Sequence, residues 1–147
     1  MLTGFSVPKR ILYHNPKEFL SGIVEGMKAS DIEERSARAI DKLPDWRYSF
    51  RLRISPLTGR LTGNVRNIAG EFEIDFLCSR GDSLWPILID GEISHFKSGW
   101  QKLEDEYRTD TINAALKKYG ALPVKRVEYW HLATQRQADR YFRELLV

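Results

Sequence analysis

Two stretches decide how this chain folds. They are Glu73-Ile74-Asp75-Phe76-Leu77 and, beyond a polar turn, Trp85-Pro86-Ile87-Leu88-Ile89-Asp90-Gly91-Glu92-Ile93-Ser94-His95. Each is an apolar run of strand length, and each delivers carboxylates. Between them, Arg80-Gly81-Asp82-Ser83 has the composition of a hairpin turn. Asp90 and Glu92 share strand parity and point to one face while the strand stays extended. Asp75 ends an acidic face with Glu71 and Glu73, opposite Phe72, Ile74 and Phe76. If the two strands are neighbours, several carboxylates converge. Two such charges ~4 Å apart at an effective dielectric of ~20 repel by ~4 kcal/mol. A site of that kind stays partly protonated or binds a divalent cation, and a metal-dependent site is the expectation.

Working outward, Trp46 to Ile54 reads as a third strand, with Trp46, Tyr48, Phe50, Leu52 and Ile54 alternating against Arg47, Arg51 and Arg53. Ahead of it, Ser30 to Leu43 reads as a helix. Ser30-x-x-Glu33 is a capping box, Ile32, Ala39, Ile40 and Leu43 give the apolar spacing, and Pro44 ends the run. Pro56 to Gly63 is a turn-rich connection. Beyond the acidic strands, Ser98 to Tyr119 reads as a long helix closed by Gly120. Val124 to Trp130 is a strand, and Thr134 to Leu146 is a last helix with Thr134 and Gln137 at its start. Residues 1–29 are an N-terminal arm, in which Pro16 to Met27 is a candidate short helix despite Gly22 and Gly26.

The order is helix, three strands, helix, strand, helix, with no repeat and no low-complexity segment. Residues 30–147 are expected to form one α/β domain: a central mixed sheet of about four strands flanked by helices.

Composition narrows the function classes. The chain has 147 residues, 42% hydrophobic and 29% charged, with net charge +3 and pI about 9.0. That balance permits a polyanionic partner. Arg47, Arg51, Arg53, Arg60, Arg66 and Arg80 recur near aromatic residues, as a phosphate-contacting surface or as solvated strand faces. The single cysteine, Cys78, excludes an intramolecular disulfide and a multi-cysteine zinc site, and reads as a packing residue. No apolar run has the length of a membrane span, and the N-terminus lacks the apolar core of a secretory signal. An intracellular, cytoplasmic protein with no membrane partner is expected.

The ordered acids resemble the PD-(D/E)xK nuclease superfamily, and within it the very-short-patch-repair branch and related small endonucleases with an EDxHD signature. The residues that carry the resemblance are a glutamate in the first helix, "EIDF", "ILIDGEISH", "Q-x3-D-x2-R-T-D" on the following helix, and the late strand "VKRVEYW". It runs from about Ser30 to Leu146. It implies a restriction-endonuclease-like fold that hydrolyses a DNA backbone with bound Mg²⁺ or Mn²⁺. The positions that match the catalytic pattern are Glu33, Asp75, Asp90 and His95. Three departures stand beside it. Leu88 occupies the place where related domains carry a glutamate. Glu92 is the substitute, yet its x-K position is Ser94, with Lys97 further on. His95 lies one residue later than the usual Asp-Gly-x-x-His spacing. A shifted active site and a degraded one both fit.

Each candidate has a plainer alternative. Glu33 is either an inward-pointing site residue or only the capping partner of Ser30, worth ~1 kcal/mol; Glu34 is the fallback. Asp75, in a central strand where aspartate is a poor former, is the strongest site candidate. Glu73 reads as a solvated face residue. Asp90 is a metal ligand or a strand-ending Asp-Gly turn, and Glu92 a ligand or a surface acid. His95 is a water-orienting base or a surface histidine. Lys97 is a phosphate contact or a solvated lysine. Gln101, Asp105 and Arg108 recur on one helix face, as site residues or as an ion-pair ladder.

The expected assignment is therefore a metal-dependent DNA endonuclease or nickase. Asp75, Asp90 and Glu92 are its metal ligands, and Arg47, Arg51, Arg53, Lys97 and Arg108 grip nucleic acid, with Trp46 against the backbone or an opened base. RNA remains a second substrate class, and sequence specificity would be low, come from a homodimer or be supplied by a partner protein. A second reading is a nuclease-fold module that has lost catalysis and binds nucleic acid or serves a phage or mobile-element assembly. A third is an unrelated α/β interaction domain with surface acids.

Overall fold

The computed structural model describes residues 23–25, 27–55, 61–63, 72–90 and 99–147. It is α/β. Strands β1 (Ile23–Val24) and β2 (Met27–Lys28) form a small antiparallel ribbon. Helix α1 (Asp31–Asp41) follows, then β3 (Arg47–Ile54), β4 (Leu61–Gly63), β5 (Phe72–Arg80) and β6 (Ser83–Asp90). Helix α2 (Gly99–Leu116) crosses over to β7 (Lys125–Glu128), and α3 (Gln135–Leu145) completes the order.

The main sheet has the order β4-β3-β5-β6-β7. The first three pairings are antiparallel and β6–β7 is parallel, so the sheet is mixed. Parallel neighbours need a long crossover, which α2 supplies. Helices α1 and α3 cover one face, where Ala37, Ile40, Ala138 and Phe142 pack with Phe50, Phe76, Ile87 and Val127. Helix α2 covers the other, where Ile112 and Leu116 meet Leu52, Ile54, Ile74, Leu77 and Leu88.

Local chemistry accounts for most of these elements. The amide of Glu33 donates to Ser30 Oγ at 3.3 Å and the Ser30 amide to Glu33 Oε1 at 3.0 Å, the reciprocal cap that starts α1. Thr134 Oγ1 accepts from the Gln137 amide at 3.1 Å and starts α3. The β5–β6 hairpin closes with Arg80 paired to Ser83, and Gly81 takes the positive φ (57°) that so tight a turn requires. Gly120, at φ 74°, ends the 3-10 turn that follows α2.

Four features depart from the sequence reading. The turn-rich connection contains a strand: Leu61–Gly63 pairs with Arg53 and Ile54 across an irregular register. Ile23–Val24 and Met27–Lys28, read partly as the end of a short helix, pair as the β1–β2 ribbon, and Val24 is buried against α1 and its surroundings; Pro16 to Gly22 and Gly26 lie outside the described residues. The late strand stops at Glu128, and Tyr129–Leu132 form a 3-10 turn that redirects the chain into α3. Finally, β3 does not alternate throughout. Tyr48 and Phe50 face α1 and α3, whereas Leu52 and Ile54 face α2. The switch falls at Arg51, whose φ of 55° lies in the left-handed region.

Candidate active site

Strand β5 brings the candidate acids to one end of the sheet. Its neighbour β3 pairs Phe50 with Phe76 and Leu52 with Ile74, which leaves Arg51 and Asp75 at a gap in the ladder. On the other side the β5–β6 pairing runs from Arg80–Ser83 to Phe76–Ile87 and stops there. Past that point Asp75 Oδ2 accepts the amide of Ile89 at 2.7 Å. The carboxylate thus supplies the hydrogen bond that the interrupted ladder does not. This is a structural duty for Asp75, alongside any chemical one.

The surroundings of Asp75 are strongly charged. Burial pushes its carboxyl up to about 6, with Glu33 and Glu73 adding to the rise, while the Ile89 amide and Arg108 oppose it. Glu33 is buried, and its Oε1 accepts from Arg51 at 3.1 Å as well as from the cap of α1. Glu73 bridges two arginines, with Arg53 at 3.1 Å and Arg51 at 3.4 Å. It is a half-buried member of the network and not the solvated residue expected from its neighbours. Arg108 reaches in from α2 and donates to the Glu73 carbonyl.

Asp90 sits at the end of β6, on the α2 side. Arg126 of β7 grips both of its oxygens, Nε to Oδ2 at 3.0 Å and the terminal nitrogen to Oδ1. Arg126 also donates to Thr109 Oγ1 at 3.2 Å and lies 3.6 Å from Asp105. The hydrogen bonds to Asp90 raise the Arg126 guanidinium further above its usual range, with the charge of Asp75 also contributing. Asp75 therefore stands between two groups: Glu33, Glu73, Arg51 and Arg53 on one side, and Asp90, Asp105, Arg108 and Arg126 on the other.

The structure brings together Glu33, Asp75, Asp90, Arg51, Arg53 and Arg108 of the expected set. Glu92, His95 and Lys97 lie outside the described residues. Arg47 is exposed at the opposite end of β3, paired in register with Ser79, about 13 Å along the sheet from Asp75 at ~3.3 Å per residue. Arg51 and Arg53 are engaged with carboxylates. Trp46 is buried; its Nε1 donates to the Leu146 carbonyl at 3.1 Å and Arg80 stacks 4.9 Å over its ring, so it presents no open face to a base. Cys78 is a fully buried free thiol, as a packing residue should be.

Sequence reasoning missed Arg126. The signal available was its place in "VKRVEYW", where a charged residue alternates with Val127; its partner, 36 positions away, left no trace in the sequence.

Carboxylates are the donors that a hard divalent cation such as Mg²⁺ takes, and Arg126 holds both oxygens of Asp90. Among the described residues no group of three or more histidine, cysteine, aspartate or glutamate side chains is gathered as a metal centre. None of their helices is long and apolar enough to cross a membrane. No protein-family model, curated protein or solved structure matches this chain.

Proposed function

We propose that this protein is a metal-dependent endonuclease of the PD-(D/E)xK type that cleaves DNA phosphodiester bonds. The observation that carries the reading is Asp75: a half-buried carboxylate on a central strand, beside the strand that ends in Asp90, with Arg108 of α2 close to Asp75 and Arg126 of β7 on Asp90. The mixed sheet, with its antiparallel β3–β5–β6 set and the β6–α2–β7 crossover, supports the same reading.

Asp75 and Asp90 would hold Mg²⁺ or Mn²⁺ together with the substrate phosphate. When bound, the ion supplies polarisation of the phosphate and a water of lowered pKa. The protein's own groups do the rest. The Ile89 amide fixes one oxygen of Asp75, and the fork of Arg126 fixes Asp90, so neither carboxylate has to be ordered when substrate arrives. Arg108 and Arg126 place positive charge where a phosphate would sit. His95 and Glu92, on the segment that leaves β6, keep the roles of water-orienting base and third acid.

One observation favours the lapsed module instead. Arg126 occupies both oxygens of Asp90 in the manner of a permanent ion pair, and Leu88 provides no acid beside it.

The deciding assay presents supercoiled plasmid, single-stranded DNA and structured RNA with Mg²⁺, Mn²⁺ or EDTA. Asp75→Asn and Asp90→Asn are run in parallel. The endonuclease predicts metal-dependent nicking or cutting of DNA that both variants lose. Salt-sensitive DNA binding without cleavage in either metal would establish the lapsed module.

A further inference from the structure

The first three turns of α2 carry apolar side chains that the fold leaves in solvent. Trp100, Leu103 and Tyr107 are 71%, 60% and 65% exposed, and Leu122, just past the helix, is 47% exposed. Spacings of three and four residues put the first three on one face, and exposed Ala114 continues it. The packing of α2 on the sheet comes from its other half, through Ile112, Ala115 and Leu116. Its N-terminal half is held by Arg108 on the Glu73 carbonyl, by Arg126 on Thr109 and Asp105, and by the edge of Tyr107 against Phe72, centroids 6.1 Å apart. A contiguous apolar stripe rimmed by charge marks a contact surface.

The rim selects the partner. Exposed Glu104, Glu106 and Asp110 flank the stripe, and their charge opposes a phosphate backbone or an anionic bilayer. Lys117, also exposed, lies at the far end. The acids lie in the middle turns of α2, after exposed Lys102, and Lys117 lies just past the helix end; acids in the middle and a base beyond the end complement the reversed copy of the same face, and a two-fold contact uses one patch on both subunits.

We propose that α2 packs antiparallel against α2 of a second copy of this chain, through Trp100, Leu103, Tyr107 and Ala114. With Tyr107 set beside the partner's Ala114, Glu106 comes alongside the partner's Lys117, and Trp100 reaches the partner's Leu122. The opposite face of this helix presents Asp105, Arg108 and Thr109 to the carboxylate site. Dimerisation fastens the half of α2 that holds Arg108 in place. The dimer stands or falls independently of whether the chain cleaves DNA.

The test is sedimentation equilibrium of the full chain over a range of concentrations. A concentration-dependent dimer is expected, which Leu103→Lys converts to monomer with unchanged circular dichroism. Glu106→Lys and Lys117→Glu should each weaken association several-fold, and the two together should restore it. Should Leu103→Lys fail to fold, the charge-reversal series decides alone. A wild-type chain that stays monomeric throughout overturns the proposal, as does a dimer that survives both single charge reversals undiminished.

Discussion

Arg51 and Asp75 occupy the gap in the β3–β5 ladder, and both strands change which sheet face their apolar residues cover at that point. Phe50 and Phe76 lie on the α1–α3 side, and Leu52 and Ile74 lie on the α2 side. The register is the same before and after, so neither strand gains a residue on the other. The left-handed φ of Arg51 makes the change in β3. Its guanidinium then lands on Glu33 and Glu73. The sheet is thus opened at the position of its most perturbed carboxylate, and side chains do the work of the missing backbone pairs.

Asp75 should separate folding from chemistry. In Asp75→Ala the Ile89 amide loses its acceptor, and a buried unpaired donor costs about 1–3 kcal/mol. In Asp75→Asn the amide oxygen can still accept from Ile89. At pH 4, where Asp75 is protonated in the folded state, the expected urea midpoints place Asp75→Asn close to the wild type and Asp75→Ala clearly below it. Cleavage should be lost in both. Equal destabilisation of the two variants would show that the charge, and not the hydrogen bond, is what the fold uses at this position.

The raised carboxyl of Asp75 also gives stability a pH dependence of definite sign. Its native value is about 6 against an ordinary 3.8, so between these values the folded state binds more protons than the unfolded one. Stability from this group is therefore greatest at low pH and falls as pH rises from about 4 to about 6. A shift of about two units corresponds to at most about 3 kcal/mol. Other acids titrate in the same window, so the comparison that isolates Asp75 is wild type against Asp75→Asn. The stability advantage of the asparagine variant should grow from pH 4.5 to pH 7 and then level off. A flat difference would mean that Asp75 titrates normally in the native state.

Which features of this arrangement were legible follows from how local they are. The α1 cap needs only Ser30 and Glu33, three residues apart, and the β5–β6 turn needs only Gly81 between two apolar runs. The acids of β5 and β6 were found because carboxylates at the ends of apolar strands are conspicuous in one dimension. The strand Leu61–Gly63 was not, because three residues in a turn-rich segment become a strand only through their pairing with β3. The aromatic run Tyr129–Trp130 has strand-forming residues, yet the chain must turn there to deliver α3 back onto α1, and tertiary geometry overrides the propensity. The face change at Arg51 has no sequence signal at all, since arginine is not a residue that favours positive φ. Parity extended through it therefore placed Leu52 and Ile54 on the wrong side.

Arg126 and Asp90 should behave as a coupled pair. Each single substitution, Arg126→Met or Asp90→Asn, leaves a half-buried partner without its counterpart, at a cost of about 1–3 kcal/mol. The double variant should be much less unstable than the sum, with a coupling energy of about 0.5–3 kcal/mol from a double-mutant cycle in denaturant. The same variants bear on the metal. If Asp90 is a ligand, Arg126→Met removes its competitor and should tighten Mn²⁺ binding measured by titration calorimetry, whereas Asp90→Asn should weaken it. Additive stabilities would show that the fork contributes nothing as a pair.

The strained backbone of Arg51 allows a last prediction in which the smaller side chain is the better tolerated. Arg51→Ala removes the ion pairs to Glu33 and Glu73 and keeps a β-carbon at φ 55°, where a non-glycine residue is disfavoured by roughly 1–2 kcal/mol. Arg51→Gly removes the same ion pairs but relieves the conformation. In an ordinary strand interior the order would be reversed, since glycine is there the more costly by about 0.5–1 kcal/mol. The expected result is that Arg51→Gly is more stable than Arg51→Ala by about 1 kcal/mol, read from urea midpoints with unchanged slope. If alanine proves the more stable of the two, the left-handed turn at Arg51 is not what carries β3 from one face of the sheet to the other.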